Sequence, residues 1–227
     1  MPSPTVFLFD IDGTILNAHG AGRRAMEGAF EAVCPGKVEA MGRVKFSGMT
    51  DPGIARAALR EAGEPDDAAS IEAVVQAYLA RIHAELEDGS QTHLLDGAVA
   101  AIDEAHGSPS AAVGLGTGNH VDGARAKLSA VGLWDRFAFG GFGSDAEDRA
   151  QMLAIGRDRG LARLARSEAR VVVIGDTPKD VAAARAIGAV CLAVTTGSYD
   201  RATLQDAGAD RVVERLDVPA ALEILRA

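Results

Sequence analysis

The sequence predicts an α/β fold built on a parallel sheet, and three observations carry that expectation. Short apolar runs, each ending on polar residues, recur along the chain, and stretches with helical spacing separate them. Between roughly residues 18 and 93 the alternation stops and gives way to helical patterns with no convincing strand. The third observation therefore adds a helical insertion to the sheet fold. On this reading the α/β core spans residues 1–17 and 94–227, and the helical domain spans 18–93.

The first run, "TVFLFD", ends at Asp10, and a second aspartate, Asp12, follows one residue later, before a glycine and a threonine. In the insertion, the first helical pattern places Ala25, Met26, Ala29, Phe30 and Val33 on one face. The second begins at "TDPGI", with Thr50 or Asp51 as N-cap and Pro52 in the first turn. The third is the longest, its stripe of Ile71, Val74, Val75, Tyr78, Leu79, Ile82 and Leu86 repeating at three and four residues. "EDGSQTH" from Glu87 reads as the linker returning to the core.

Three further strands follow: "AAVGLGT" ending at Thr117, "RVVVIGD" ending at Asp176, and "AVCLAVTT" ending at Thr196. The intervening "VDGARAKLSAVGL" from Val121 and "TPKDVAAARAIGA" from Thr177 have helical spacing and close near a glycine, as helix C-termini do. In open parallel sheets ligands collect at the carboxyl ends of the strands. Asp10, Asp12, Thr117 and Asp176 all fall there.

Composition narrows the function. A chain of 227 residues, 48% of them apolar, can bury a sizeable core. Its 32 acidic against 23 basic residues give a formal charge of −9, and no basic patch stands out, which argues against a nucleic-acid partner. No run reaches the roughly 18 to 20 apolar residues of a membrane span, and no basic region followed by an apolar segment opens the chain. Two distant cysteines, Cys34 and Cys191, fit a reducing compartment, so a cytoplasmic protein without a membrane partner is expected. The five histidines show no H-x-x-x-H pairing and lend little support to a histidine metal site.

The motifs point to a family. "DIDGT" at the end of the first strand resembles the first signature of the haloacid dehalogenase superfamily, Asp-x-Asp-Gly-Thr. The strand ending in "GTGN" resembles its second motif, and "VVVIGDTPKD" resembles its fourth, Gly-Asp-x-x-x-Asp. Three motifs occur in the right order, each after an expected strand. The resemblance covers the whole chain and implies a Rossmann-like parallel sheet with an inserted helical cap, the arrangement of the phosphoglycolate phosphatase and β-phosphoglucomutase-like group.

What the resemblance implies is a phosphatase. Carboxylates on neighbouring strand ends repel one another unless a cation sits among them, and Mg2+ prefers a few carboxylate or carbonyl oxygens. By resemblance Asp10 supplies a side-chain ligand, Asp12 its backbone carbonyl, and Asp176 a carboxylate. Asp180 is either a supporting ligand or a charge complementing a helix N-terminus. Asp10 is then the nucleophile that forms an aspartyl-phosphate, and Asp12 the acid and base that serves the leaving group and the attacking water. Because Asp12 is present, phosphoryl transfer is favoured over carbon–halogen cleavage. The Thr117 hydroxyl, with backbone amides of Gly118 and Asn119, would cradle the phosphoryl group.

One motif departs from the pattern. Where the superfamily usually carries a lysine before the fourth motif's strand, "GSDAEDRAQML" offers Arg149. Arg149 is assigned to contact the aspartate and the phosphate; its alternative is a helix-start arginine paired with Asp145 or Glu147. In the insertion, "FSGMTDPG" from Phe46 resembles a substrate-specificity loop, making Ser47, Thr50 and Asp51 candidates, and Arg23 could meet a second anionic group. Helix capping accounts for Thr50 and Asp51 equally well. The expected activity is Mg2+-dependent hydrolysis of a small phosphorylated metabolite, phosphoglycolate-like or sugar-phosphate-like. A phosphomutase sharing every core residue, and a non-enzymatic phosphate-binding protein, are the alternatives. The sequence sets no oligomeric state.

Overall fold

Five consecutive buried residues, Thr5–Phe9, form β1, the strand on which the rest of the sheet is assembled. The structure is a computed structural model and describes residues 3–87 and 92–226. Beside β1 lie β4 (Ala111–Thr117) and β6 (Arg170–Gly175), both parallel to it. Outward from these come β5 (Gly140–Phe142) on one side and β7 (Val190–Val194) then β8 (Arg211–Val213) on the other. The order β5-β4-β1-β6-β7-β8 is parallel throughout. Such a sheet is covered on both faces, which is why its central strands read as unbroken apolar runs. Val6 and Leu8 enter one hydrophobic cluster, and Phe7 and Phe9 enter another that continues through Ile11 and Ile15. The strand period of two assigns them to opposite faces.

Helices α4 (Ala98–His106), α5 (Val121–Ala130), α6 (Arg149–Leu164), α7 (Pro178–Ala186) and α8 (Arg201–Asp206) connect the strands, and α9 (Pro219–Leu225) follows β8. The first of the anticipated glycine stops is Gly132, after α5, and the second is Gly188, after α7. Both take a φ of 70°, a left-handed conformation that glycine adopts without a steric penalty.

Between β2 (Leu16–Asn17) and β3 (His93–Leu94) the chain forms α1 (Ala21–Val33), a 3-10 turn at Val38–Arg43, α2 (Asp51–Glu61) and α3 (Ala68–Glu87). Helices α1 and α2 pack against α3, burying Met26, Phe30, Leu59, Tyr78 and Ile82. Thr50 caps α2 as anticipated, its hydroxyl accepting from the Gly53 amide, with Pro52 in the first turn.

Four strands escape the sequence reading. β2 and β3 pair antiparallel at the base of the helices, where no strand was expected; two residues are too few to show alternation. β5, "GGF", and β8, "RVV", are three-residue strands fixed by pairing with longer neighbours. Of the return linker read over Glu87–His93, residues 88–91 lie outside the described residues.

Candidate active site

The carboxyl ends of β1, β4 and β6 and the start of α6 converge on one cavity of about 420 Å³. Its floor carries Asp10, Thr117, Arg149 and Asp176, the helices above it contribute Arg23, Asp51 and Tyr78, and the loop before α2 contributes Ser47. Asp10 follows β1 directly, its amide bonded to the Ile174 carbonyl of β6 at 2.8 Å, so sheet registry sets its position. Gly13, at φ 81°, then turns the chain away; a Cβ there would collide with the Asp176 carboxylate, as would one at Gly197. The Thr14 hydroxyl reaches the same carboxylate at 3.4 Å. Asp176 is thus walled in by small residues.

Asp10, Asp176 and Asp180 are buried, with one carboxylate oxygen from each lying within 4.8 Å of the others. Burial pushes the Asp10 carboxyl up to about 7; Arg149 opposes the rise, and Asp180 and Asp12 add to it. Burial, then the Asp180 and Asp10 charges, pushes Asp176 well above the ordinary carboxylate range. Three buried carboxylates share one cation, Arg149. Hard oxygens from several acids in so small a volume suit a small divalent ion such as Mg2+.

Arg149 is the first residue of α6, which Asp148 caps through the Gln151 amide. Its Nη2 lies 3.1 Å from Asp10 Oδ2, and its guanidinium also binds Asp180, with Nε 2.8 Å from Oδ1. Burial would lower its affinity for a proton, but Asp180 and Asp10 outweigh that and hold it charged. The surface pairings do not form: Asp145 binds Arg159, and Glu147 binds Arg56.

Asp180 takes the helix-start role of its two readings. Its Oδ2 accepts from the Thr177 amide and hydroxyl, completing a capping box at the start of α7, while Oδ1 receives Arg149. With both oxygens so engaged, Asp180 lies fully buried beneath the cavity floor.

The other side of the cavity is built on α5. Asn119 donates from Nδ2 to Thr117 Oγ1 and to Asp12 Oδ2, each at 2.8 Å. Lys127, a residue the sequence reading did not single out, places its ammonium 2.8 and 2.7 Å from the two Asp12 oxygens and 2.7 Å from Asn119 Oδ1. Burial would raise the Asp12 carboxyl, but Lys127 and Asn119 prevail and hold it below its ordinary value. One signal was available: Lys127 stands three residues after Ala124 and next to Leu128, both on the buried face of α5.

The loop before α2 closes the site. The Asp51 amide donates to the Gly118 carbonyl at 2.8 Å, and the Asp51 carboxylate accepts from the His120 amide at 2.7 Å. Gly118 is a close-approach position, since a side chain there would strike the Met49 carbonyl. Burial pushes Asp51 up to about 6 against the pull of Lys127. Thr50 does not reach this cavity: its hydroxyl caps α2 and donates to the Glu147 carbonyl at 3.0 Å. It faces a second cavity of about 440 Å³ on the other side of the loop. Arg23 lines the site but is half exposed, paired with Glu27 at 3.2 Å and set over the Phe46 ring. Among the described residues no helix is long and apolar enough to cross a membrane.

The fold is shared with solved structures. A hydrolase from Pseudomonas syringae is 23% identical, with a TM-score of 0.72 over 98% of this chain and 100% of that one. CbbY from Rhodobacter sphaeroides, in complex with phosphate, is 20% identical, with a TM-score of 0.73 over 98% and 100%. A mutant of the same CbbY has been solved with xylulose-1,5-bisphosphate. A candidate β-phosphoglucomutase from Thermotoga maritima is 17% identical, with a TM-score of 0.62 over 98% of each chain. No curated protein matches the sequence. The family model of haloacid dehalogenase-like hydrolases matches residues 4–188, which contain the ends of β1, β4 and β6 that carry the site, and the chain belongs to that family.

Proposed function

We propose that the protein is a cytoplasmic, Mg2+-dependent phosphatase that hydrolyses small phosphomonoesters through an aspartyl-phosphate on Asp10. The observation that carries this reading is the pair Asp10 and Asp12 at the end of β1, one beside Arg149 and the acidic cluster, the other turned toward α5. Asp10 is the nucleophile: its Oδ2 already faces the Arg149 guanidinium, which orients it and offers donors to phosphoryl oxygens. Thr117 and the Gly118 and Asn119 amides hold the remaining oxygens. Asp12 stands on the leaving-group side, where it gives a proton to the departing alkoxide and takes one from the water that opens the phosphoenzyme.

Mg2+, held by Asp10, Asp176 and the Asp12 backbone carbonyl, would neutralise phosphoryl charge next to the nucleophile. Asp180 holds Arg149 in place beside that site rather than facing the cavity. Residues 18–93 act as a cap domain over a core of 1–17 and 94–227, and the Asp51 bonds to Gly118 and His120 support its role in closing the site against bulk water. Ser47, Asp51 and Arg23 face the part of the substrate that does not react. The buried free cysteines Cys34 and Cys191 fit a reducing compartment. CbbY, with its phosphate and sugar-bisphosphate complexes, supports a phosphorylated metabolite as substrate class.

Phosphate release from a panel of phosphorylated metabolites, with Mg2+ or with excess chelator, tests the proposal against Asp10→Asn. Mg2+-dependent release lost in the variant is expected. Release that survives in Asp10→Asn refutes the nucleophile, and conversion of a sugar phosphate to its isomer without phosphate release would favour a mutase.

A further inference from the structure

We propose that Lys127 is a positioning residue for the reaction: with Asn119 it fixes the Asp12 carboxylate toward the leaving-group oxygen, and helix α1 completes this clamp. The inference rests on the phosphatase reading of Asp10 and Asp12.

Asp12 has no support of its own on the cavity side. It lies in the turn after β1 with 46% of its side chain exposed, whereas the Lys127 side chain is only 6% exposed. A carboxylate that open would ordinarily sample several rotamers. Here Lys127 bridges both of its oxygens, and Asn119 donates to one of them. The lysine is fixed in turn. It donates to Asn119 Oδ1, and Asn119 is tied to Thr117, so Asp12 is registered to the residue expected to cradle the phosphoryl group.

The helical insertion seals the arrangement. Gly22, in the first turn of α1, lies so close that a Cβ there would stand 3.4 Å from Lys127 Nζ. The ammonium is therefore covered by helix α1. Lysine suits the task because its compact ammonium can donate to three acceptors at once. It finds three oxygens here, two on Asp12 and one on Asn119.

The test exploits leaving-group chemistry. An alkyl phosphate needs a well-placed proton donor at its departing oxygen, whereas p-nitrophenyl phosphate leaves as a stable anion and needs little help. Wild type, Lys127→Met, Lys127→Arg and Asp12→Asn are compared on both ester types. Lys127→Met is expected to lose about 100-fold in kcat/KM on alkyl esters and less than about 10-fold on the aryl ester, with partial recovery in Lys127→Arg. An equal loss on both esters, or no loss, overturns the positioning role while leaving the phosphatase reading intact. If Asp12→Asn shows no preference for the aryl ester, the assigned role of Asp12 fails and the clamp fails with it. A readout independent of turnover is the crystal structure of Lys127→Met: an Asp12 carboxylate that keeps its wild-type rotamer overturns the proposal even if the protein releases no phosphate from any ester.

Discussion

The two ends of the cavity solve opposite problems with the same residue type. On the β6 side three buried carboxylates, Asp10, Asp176 and Asp180, share the single guanidinium of Arg149. On the α5 side one half-exposed carboxylate, Asp12, has the Lys127 ammonium against both of its oxygens. The first end is short of positive charge and the second is balanced. Buried like charges repel strongly in a low-dielectric site, so the acidic end is where an added cation gains most. The balanced end requires no ion and holds one side chain in a chosen direction. On the proposed function, the electrostatic deficit falls where phosphoryl chemistry is expected, and the balanced end where proton transfer is expected.

Several substitutions would break or sharpen this contrast. The largest effect is expected for Asp10→Asn, which removes the proposed nucleophile from the deficient end and should lower phosphate release by ~10⁴-fold or more. A loss below tenfold would remove the distinction between the two carboxylates of the signature. Next is stability. Arg149→Met strips the guanidinium from a buried acidic cluster and should cost about 3–5 kcal/mol in urea unfolding without metal. Lys127→Met, beside a half-exposed partner, should cost under about 2 kcal/mol. Equal costs would show that burial does not separate the two ends.

Mg2+ should raise the unfolding temperature of the wild type, by about 2.7 kcal/mol of stabilisation at a hundredfold excess over its dissociation constant. The rise should persist in Lys127→Met and vanish in Asp176→Asn. A rise that disappears in Lys127→Met instead would put the ion at the wrong end.

A pH-dependent effect concerns Asp51. Burial raises its pKa from 3.8 to about 6, so the folded state holds a proton that the unfolded chain releases. Its favourable contribution is complete below about pH 4 and is lost as pH rises through about 6. Asp51→Asn should flatten this part of the stability profile by on the order of 1–3 kcal/mol. An unchanged slope would show that Asp51 is not desolvated beneath the helices.

Much of the site was legible because its residues are local to strand ends. An apolar run followed by Asp10 and Asp12, or by Thr117, or by Asp176, announces both a buried parallel strand and the edge where ligands gather. Arg149 was legible as a basic residue in the expected interval, although its partners were not: only folding brings the start of α6 against Asp10 and Asp180 rather than Asp145 or Glu147. Lys127 was missed because a lysine near the end of an amphipathic helix reads as a solvated charge unless its buried neighbours are weighed. Thr50 shows the opposite error. Its side chain has one hydroxyl, and capping and the Glu147 carbonyl engage it, leaving it outside the cavity that the loop sequence suggested.

By itself the sequence determined the fold class, the insertion of helices after the first strand, and the strand ends that carry the acidic residues. These follow from periodicity and from residue types that act where they stand. The tertiary structure alone decided which charges meet. It joined Asp180 to Arg149 across 31 residues and Lys127 to Asp12 across 115, and it spent Thr50 on a cap. Pairing of this kind depends on burial and on distances of about 3 Å between elements remote in sequence. No local pattern encodes those distances, and they arise only when the sheet is ordered and the helices lie upon it.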